Sequence, residues 1–117
     1  MPHVLVVDDD ADALPIRRLI LERAGYSVST ATTPAQARAL FSSAPPDAVL
    51  LDLRLPHLED GLTLIREWRQ AAPALHLVVL AGRTADLEET SERALVDRVL
   101  GKPVRSELLL EALRRPA

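Results

Sequence analysis

Short apolar runs alternate with helical spacings along the chain, and this alternation predicts five strand–helix pairs. The strands are expected within "HVLVV" (3–7), "SVSTA" (27–31), "PPDAVLLDL" (45–53), "LHLVVLAG" (75–82) and "DRVLGKP" (97–103). The helices are expected at about 13–24, 34–44, 61–72, 86–95 and 106–115. Because nearly all-apolar strands are typical of sheets buried on both faces, the pattern predicts an α/β fold, a (βα)₅ doubly wound five-stranded parallel sheet.

Capping signals and apolar spacings indicate how each helix begins, ends and packs. The expected capping residues are Thr33, Asp86 and Ser106 as N-caps, Gln36 and Glu89 as the second members of capping boxes, and Gly25 as a C-cap. The expected core faces are Ile16, Leu19, Ile20 and Ala24 in the first helix, Ala37, Leu40, Phe41 and Ala44 in the second, and Leu62, Ile65 and Trp68 in the third.

Composition narrows the class of protein. The 117 residues fit one domain, 1–117, and 48% hydrophobic with 26% charged residues is typical of a globular protein. A net charge of −3 and one residue each of Trp, Tyr and Phe argue against direct nucleic-acid binding. No apolar run reaches the roughly 20 residues of a membrane span. The absence of cysteine excludes thiolate chemistry and is compatible with the cytoplasm, which is the predicted location.

The residues that directly follow the predicted strands are the candidates for a functional site. Asp8, Asp9 and Asp10 come after the first strand, Asp52 after the third, Ala81 and Gly82 after the fourth, and Lys102 after the fifth. Ligands of parallel α/β sheets bind at this carboxyl edge. Clustered carboxylates without Cys or suitably spaced His favour a hard cation such as Mg²⁺. An aspartate beside such an ion is a candidate nucleophile toward phosphorus, and a lysine opposite it can contact the phosphoryl group.

Three motifs carry a resemblance to a known family: "VVDDD" (6–10), "DAVLLDLRLP" (47–56) followed by Gly61, and "GKP" (101–103). In this order and spacing they resemble the receiver domain of two-component response regulators, and the resemblance covers essentially the whole chain. It implies a flavodoxin-like sheet of order 2-1-3-4-5. It also implies phosphoryl transfer from a phosphohistidine of a sensor histidine kinase or phosphotransfer protein, followed by autodephosphorylation, rather than turnover of a separate substrate.

The resemblance also implies a role for individual residues. Asp52 would be the phosphoacceptor. Asp9 would bind Mg²⁺ directly, Asp8 would position the waters of the ion, and the backbone carbonyl of Arg54 would be a further ligand. Lys102 would contact the phosphoryl oxygens, with a cis peptide to Pro103 and a backbone contact from Gly82. Arg54 and Arg83 are candidates for controlling the lifetime of the phosphoryl group, although both could equally be ordinary surface arginines.

Two positions depart from the family pattern. Receivers usually carry Ser or Thr where this chain has Ala81, and an aromatic residue where it has Val99. Thr84 would replace the missing hydroxyl only if its loop folded back. The segment between Ala81 and Lys102 is also slightly short. The sequence therefore predicts an intact acceptor site with an atypical switch.

Other functions stay open at this point. The chain could be a receiver-like protein-interaction module that works without phosphorylation. A homodimer is a separate option for the assembly. A phosphatase of the haloacid-dehalogenase type also uses an aspartate nucleophile with Mg²⁺, but its nucleophile follows the first strand. The kinase, the output and the downstream partner are not indicated by any motif.

Overall fold

Strands and helices alternate throughout residues 2–114, the part of the chain that the computed structural model describes. The strands are β1 (His3–Val7), β2 (Ser27–Ala31), β3 (Ala48–Asp52), β4 (His76–Ala81) and β5 (Arg98–Gly101). The helices are α1 (Leu14–Arg23), α2 (Pro34–Ser43), α3 (Leu58–Ala71), α4 (Ala85–Glu88) and α5 (Ser106–Leu113), with a 3₁₀ segment at Ser91–Leu95. The strands form one parallel sheet in the order β2-β1-β3-β4-β5, which confirms the predicted fold.

Alternate residues of each strand supply two separate cores. In β1, Val4 and Val6 face the side covered by α1 and α5, whereas Leu5 and Val7 face the side covered by α2 and α3. Because period-2 alternation places hydrophobic side chains on both faces, helices must cover both. All strands point the same way, so their carboxyl ends meet along a single edge of the sheet.

The second and third helices largely follow the prediction. Thr33 caps α2 by accepting a hydrogen bond from Gln36 N, although the Gln36 side chain reaches Thr32 rather than the cap residue. Helix α3 begins at Leu58, three residues earlier than predicted. There Asp60 Oδ2 accepts from His57 N at 3.2 Å, and Asp60 N donates to His57 O at 3.1 Å.

The predicted core residues of these two helices are buried or partly buried, except Ala44, which is exposed. The rings of Phe41 and Trp68 stack with their centroids 5.1 Å apart. Both aromatic residues therefore serve the core between α2 and α3, as predicted.

The predicted core face of α1 is wrong at three of its four residues. Ile16 is 64% and Leu19 49% exposed, Ala24 is exposed as well, and only Ile20 is half-buried. The buried residues of the helix are Leu14 and Leu21. Between them, on the same inner row, lies Arg17. A count of apolar residues predicts that a helix row containing an arginine faces solvent. In α1 this row faces the core, because the buried carboxylate of Asp8 pairs with the guanidinium of Arg17. Gly25 ends the helix with φ of 97°, as predicted for a C-cap.

The segment after β4 also differs from the prediction of one helix from Asp86 to Leu95. Helix α4 is a single turn that begins after Thr84, and Asp86 does not cap it. The Thr90 hydroxyl donates to Leu87 O at 2.6 Å, and the chain continues as the 3₁₀ segment. Helix α5 is capped by Arg105, so Ser106 is its first residue and not its N-cap. The predicted extension of α5 to residue 115 lies outside the described residues.

Within residues 2–114, no helix has the length and apolar character that crossing a bilayer requires.

Candidate functional site

The carboxyl ends of three strands bring four of the predicted residues together. Asp8 and Asp9 directly follow β1, and Asp52 is the last residue of β3. Carboxylate oxygens of these three residues lie within 4.8 Å of one another. Lys102 follows β5, and its Nζ lies 2.8 Å from Oδ2 of Asp52. The sequence placed these residues at one edge of the sheet, and the structure joins them in one cluster.

Asp52 is buried, with 6% of its surface exposed. Burial disfavours its charged form, and the nearby negative charge of Asp8 adds to this effect. The hydrogen bond from Lys102 acts in the opposite direction but does not compensate fully. The pKa of Asp52 is therefore raised to about 6, so the carboxylate is ionised but destabilised near neutral pH.

Asp8 is even more deeply buried, yet its pKa is lowered. Burial would raise this pKa, but the Asp10 N–H donates to Oδ1 at 2.9 Å and the guanidinium of Arg17 donates to Oδ2. Asp8 is therefore a charged group held in place from two sides. Asp10 itself is exposed and contributes its backbone to the site, which agrees with the smaller role predicted for it.

The ligand chemistry of the cluster fits a hard divalent cation. It offers oxygen atoms from Asp8, Asp9 and Asp52 and no sulfur or imidazole nitrogen. Asp9 is exposed, whereas Asp8 and Asp52 are buried and each is held by a charged partner. Few protein ligands beside open space favour Mg²⁺, which retains several waters.

A cavity of about 240 Å³ lies over Asp52 on the side of β4 and α4. Its walls include Arg54, which follows Asp52 in the chain, and Asp86 from α4. Nη2 of Arg54 donates to Oδ2 of Asp86 at 2.9 Å, and Arg54 is 58% exposed. The ion pair therefore spans the rim of the cavity above the carboxylate.

The two positions that depart from the family pattern are both apolar in the structure as well. Ala81 and Gly82 line the cavity over Asp52, and Ala81 is 2% exposed. Thr84 is not among the residues that line this cavity, and its methyl group lies beside Gly101 instead. Val99 packs against the core of the α2–α3 side. No described residue that lines this cavity therefore supplies a hydroxyl in place of the missing one.

Of the remaining features of the site, the cis peptide was predicted, whereas two contributing side chains were not. The Lys102–Pro103 peptide is cis, as the resemblance implies, and so is Leu55–Pro56. The side chain of Arg83 is exposed and makes no hydrogen bond or ion pair with the rest of residues 2–114. Arg17 and Asp86 were not predicted. Their only sequence signals were an arginine on the inner row of α1 and a carboxylate one turn from Gly82.

The raised pKa of Asp52 predicts a pH-dependent stability in the absence of divalent cations. Because the folded-state pKa exceeds the unfolded value of 3.8, the native state binds the proton more tightly. This contribution is greatest below the unfolded pKa and is lost as the pH rises through about 6.

We expect Asp52→Asn to be more stable than the wild type at pH 7.5 by about 1–2 kcal/mol, and equally stable near pH 4. Urea unfolding in EDTA at several pH values measures the difference. A stability advantage of Asp52→Asn that increased as the pH fell would contradict the raised pKa of Asp52.

Comparison with known proteins agrees with this geometry. Residues 4–114 match the family model described as "Response regulator receiver domain". Response regulator MprA of Mycolicibacterium vanbaalenii is 38% identical over 113 residues, which are 96% of this chain and 48% of that protein. The chain thus spans about half the length of the curated relatives it matches.

Solved structures give the same result. A receiver domain protein (CheY-like) from Methanospirillum hungatei superposes with a TM-score of 0.85 at 28% identity, covering 95% of this chain and 89% of that one. The response regulator protein TrrA from Thermotoga maritima, crystallised in complex with Mg²⁺-BeF, gives 0.85 at 25% identity and covers 95% of both chains.

Proposed function

Because the chain belongs to the response regulator receiver family, we propose that it accepts a phosphoryl group onto Asp52 in a Mg²⁺-dependent reaction. The donor is a phosphohistidine on a sensor histidine kinase or a phosphotransfer protein. The observation that carries the proposal is the pairing of Asp52 with Lys102 at 2.8 Å inside a cluster of three carboxylates. Such a cluster gives the nucleophile, the cation site and the positive contact for the phosphoryl oxygens in one place.

In the proposed reaction an Oδ atom of Asp52 attacks phosphorus. The O–P bond forms as the P–N bond to the imidazole of the donor breaks, and the electron pair of that bond returns to the imidazole nitrogen. The carboxylate of Asp52, with its pKa of about 6, is ionised near neutral pH and can act as the nucleophile. The phosphoryl group that it acquires adds negative charge to the site, which Lys102 and a bound cation would neutralise. Lys102 then moves its hydrogen bond from the carboxylate to a phosphoryl oxygen.

Asp8, Asp9 and Asp52 would hold Mg²⁺, together with the backbone carbonyl of Arg54. The ion supplies charge neutralisation of the phosphoryl oxygens in the transition state. Asp9 is the proposed direct ligand, and Asp8 would position the waters of the ion. The backbone N–H of Gly82, in the wall of the same cavity as Asp52, is the proposed third contact of the phosphoryl group.

The ion pair of Arg54 and Asp86 is proposed to limit the access of water to the aspartyl phosphate. Arg54→Ala opens the rim of the cavity, so we expect the phosphoryl group to be lost about two- to fivefold faster, as suits an exposed ion pair. Loss of label from purified phosphoprotein measures the rate. Arg23→Ala removes the same charge from an exposed residue at the end of α1 that does not line the cavity, and it should leave the rate unchanged. Equal rates in wild type, Arg54→Ala and Arg23→Ala would contradict the proposed role.

A second candidate function is a protein-interaction module that works without phosphorylation. The observation in its favour is that Ala81 and Val99 supply neither a hydroxyl nor an aromatic ring to report on the phosphoryl group. This alternative predicts that the affinity for a downstream partner is the same in wild type and Asp52→Ala.

The proposal also covers where and with whom the protein acts. We propose a cytoplasmic location, which the cysteine-free composition supports, and an output through an effector domain or a separate downstream protein. Direct nucleic-acid binding is not proposed, since the net charge is −3. A homodimer stays a prediction that sedimentation of the phosphorylated and unphosphorylated protein would test.

The proposed function is tested by incubation with Mg²⁺ and acetyl phosphate or a phosphorylated kinase. We expect one phosphoryl group per chain, stable under mild conditions and released by hydroxylamine, as an acyl phosphate must be. Asp52→Asn should carry none. Label that resists hydroxylamine, or that survives in Asp52→Asn, would overturn the proposal.

A further inference from the structure

Arg17 places a positive charge inside the acidic cluster. It lies on the inner row of α1, its side chain is 16% exposed, and its guanidinium donates to Oδ2 of Asp8, which is 1% exposed. The pairing is therefore an enclosed charge pair rather than a surface one, and surface ion pairs alone are weak. Burial of this kind holds the guanidinium against Asp8 more firmly than solvent-exposed pairing would.

The position of Arg17 overlaps the region where a cation would bind. Arg17, Asp8, Asp9, Asp52 and Lys102 all line one cavity of about 590 Å³ between α1 and the start of α5. Oxygens of the three carboxylates lie within 4.8 Å of one another, so an ion held by them would approach the Asp8 carboxylate that Arg17 already contacts. The cation and the Arg17 guanidinium would then both lie next to the Asp8 carboxylate, and their positive charges would repel each other.

The net charge of the cluster also indicates that Arg17 opposes the binding of a cation. The three converging carboxylates, Lys102 and Arg17 together carry a net charge of −1, and Asp10 in the lining of the same cavity adds one more negative charge. Without Arg17 the total would be one unit more negative, which would attract a divalent cation more strongly. Arg17 thus removes part of the electrostatic attraction that would draw the ion in.

We propose that Arg17 is an internal competitor of Mg²⁺ for Asp8, so that the ion binds only when the guanidinium moves away. Binding of Mg²⁺, and the phosphoryl transfer that depends on it, then requires a higher Mg²⁺ concentration than the three carboxylates alone would need. This inference rests on the proposed function, because it concerns the cation site of the same reaction. The cavity beside Ala13 and Ile16 gives the displaced side chain space to occupy.

The test is a calorimetric titration of Mg²⁺ into wild type, Arg17→Gln and Arg23→Gln. Arg23 lies at the end of the same helix, is exposed and is not among the residues lining the cavity, so its variant is matched for charge and helix. We expect Arg17→Gln to bind Mg²⁺ about tenfold more tightly than wild type, and Arg23→Gln to match wild type. Equal or weaker binding by Arg17→Gln overturns the inference.

A measurement on the wild type keeps the inference testable if Arg17→Gln folds poorly. The side-chain Nε–H resonance of Arg17, assigned by its absence from Arg17→Lys, should shift with Mg²⁺ at the midpoint of the calorimetric curve. A resonance that stays unchanged while Mg²⁺ binds overturns the inference. Failure of the proposed function would be visible separately, as the absence of an acyl phosphate in both wild type and Arg17→Gln at saturating Mg²⁺.

Discussion

Gly61→Ala is expected to destabilise the domain by about 3 kcal/mol or more. A Cβ at Gly61 would lie 1.9 Å from the carbonyl oxygen of Leu53 and 2.8 Å from its carbonyl carbon. Both contacts are with backbone, which cannot rotate away as a side chain can. The better helix propensity of alanine, about 1 kcal/mol, offsets only part of this cost.

The same substitution is expected to impair the site. Leu53 directly follows Asp52, so a shift of its backbone to relieve the contact also moves the acceptor. Urea unfolding of Gly61→Ala beside Gly82→Ala checks the prediction, because a Cβ at Gly82 meets no atom within 4 Å. We expect Gly82→Ala to unfold close to wild type; a Gly61→Ala variant that did the same would contradict the described packing.

Asp9→Asn is expected to weaken Mg²⁺ binding by more than about tenfold, because it removes the charge of the proposed direct ligand. Phosphorylation by acetyl phosphate at limiting Mg²⁺ should fall in proportion. Asp9 is exposed and forms neither of the two ion pairs of the cluster, so the fold should be unaffected. The rise in melting temperature with Mg²⁺ concentration measures the affinity.

Asp10→Asn is the matched control for this prediction. Asp10 is the next carboxylate in the same loop, but it is not one of the three whose oxygens converge. Its Oδ1 accepts from Asp12 N, and an asparagine oxygen can do the same. We expect Asp10→Asn to bind Mg²⁺ nearly as wild type does. A larger loss in Asp10→Asn than in Asp9→Asn would reverse the roles assigned to the two residues.

Most of the site could be predicted from the sequence because its residues lie at the ends of strands. Asp8, Asp9, Asp52 and Lys102 each follow or end an apolar run, and parallel strands bring such positions to one edge whatever the details of packing. This is why residues far apart in the chain could be grouped before the fold was known. The same reasoning identified the strand order only through the family resemblance, since apolar runs do not reveal which strands are neighbours.

The sequence pattern did not predict the two residues that contribute to the site from helices, Arg17 and Asp86. Hydrophobic periodicity treats Arg17 as a solvent-facing residue, although the charge on Asp8 allows it to lie on the inner row of α1. That one residue also explains why Ile16 and Leu19 were assigned to the core and are exposed. Asp86 was interpreted as a helix cap, but its carboxylate instead pairs with Arg54. Both errors arise because side-chain pairing across elements leaves no periodic signal.

The departures at Ala81 and Val99 concern the response to phosphorylation rather than its chemistry. Both positions are filled by apolar side chains that pack in place, so neither offers a polar group that could follow the phosphoryl oxygens. We therefore expect a conformational response to the proposed phosphorylation to begin at Lys102, at the backbone of Gly82 or at the loop after β3. Amide exchange with and without beryllofluoride would locate it.

Identification of the phosphorylated residue tests the central claim most directly. The protein is treated with acetyl phosphate and Mg²⁺, reduced with borohydride, which converts an aspartyl phosphate to homoserine, and digested for peptide mass spectrometry. We expect homoserine at position 52 alone. Homoserine at position 8 or 9, or at no position in protein that binds Mg²⁺, would contradict it.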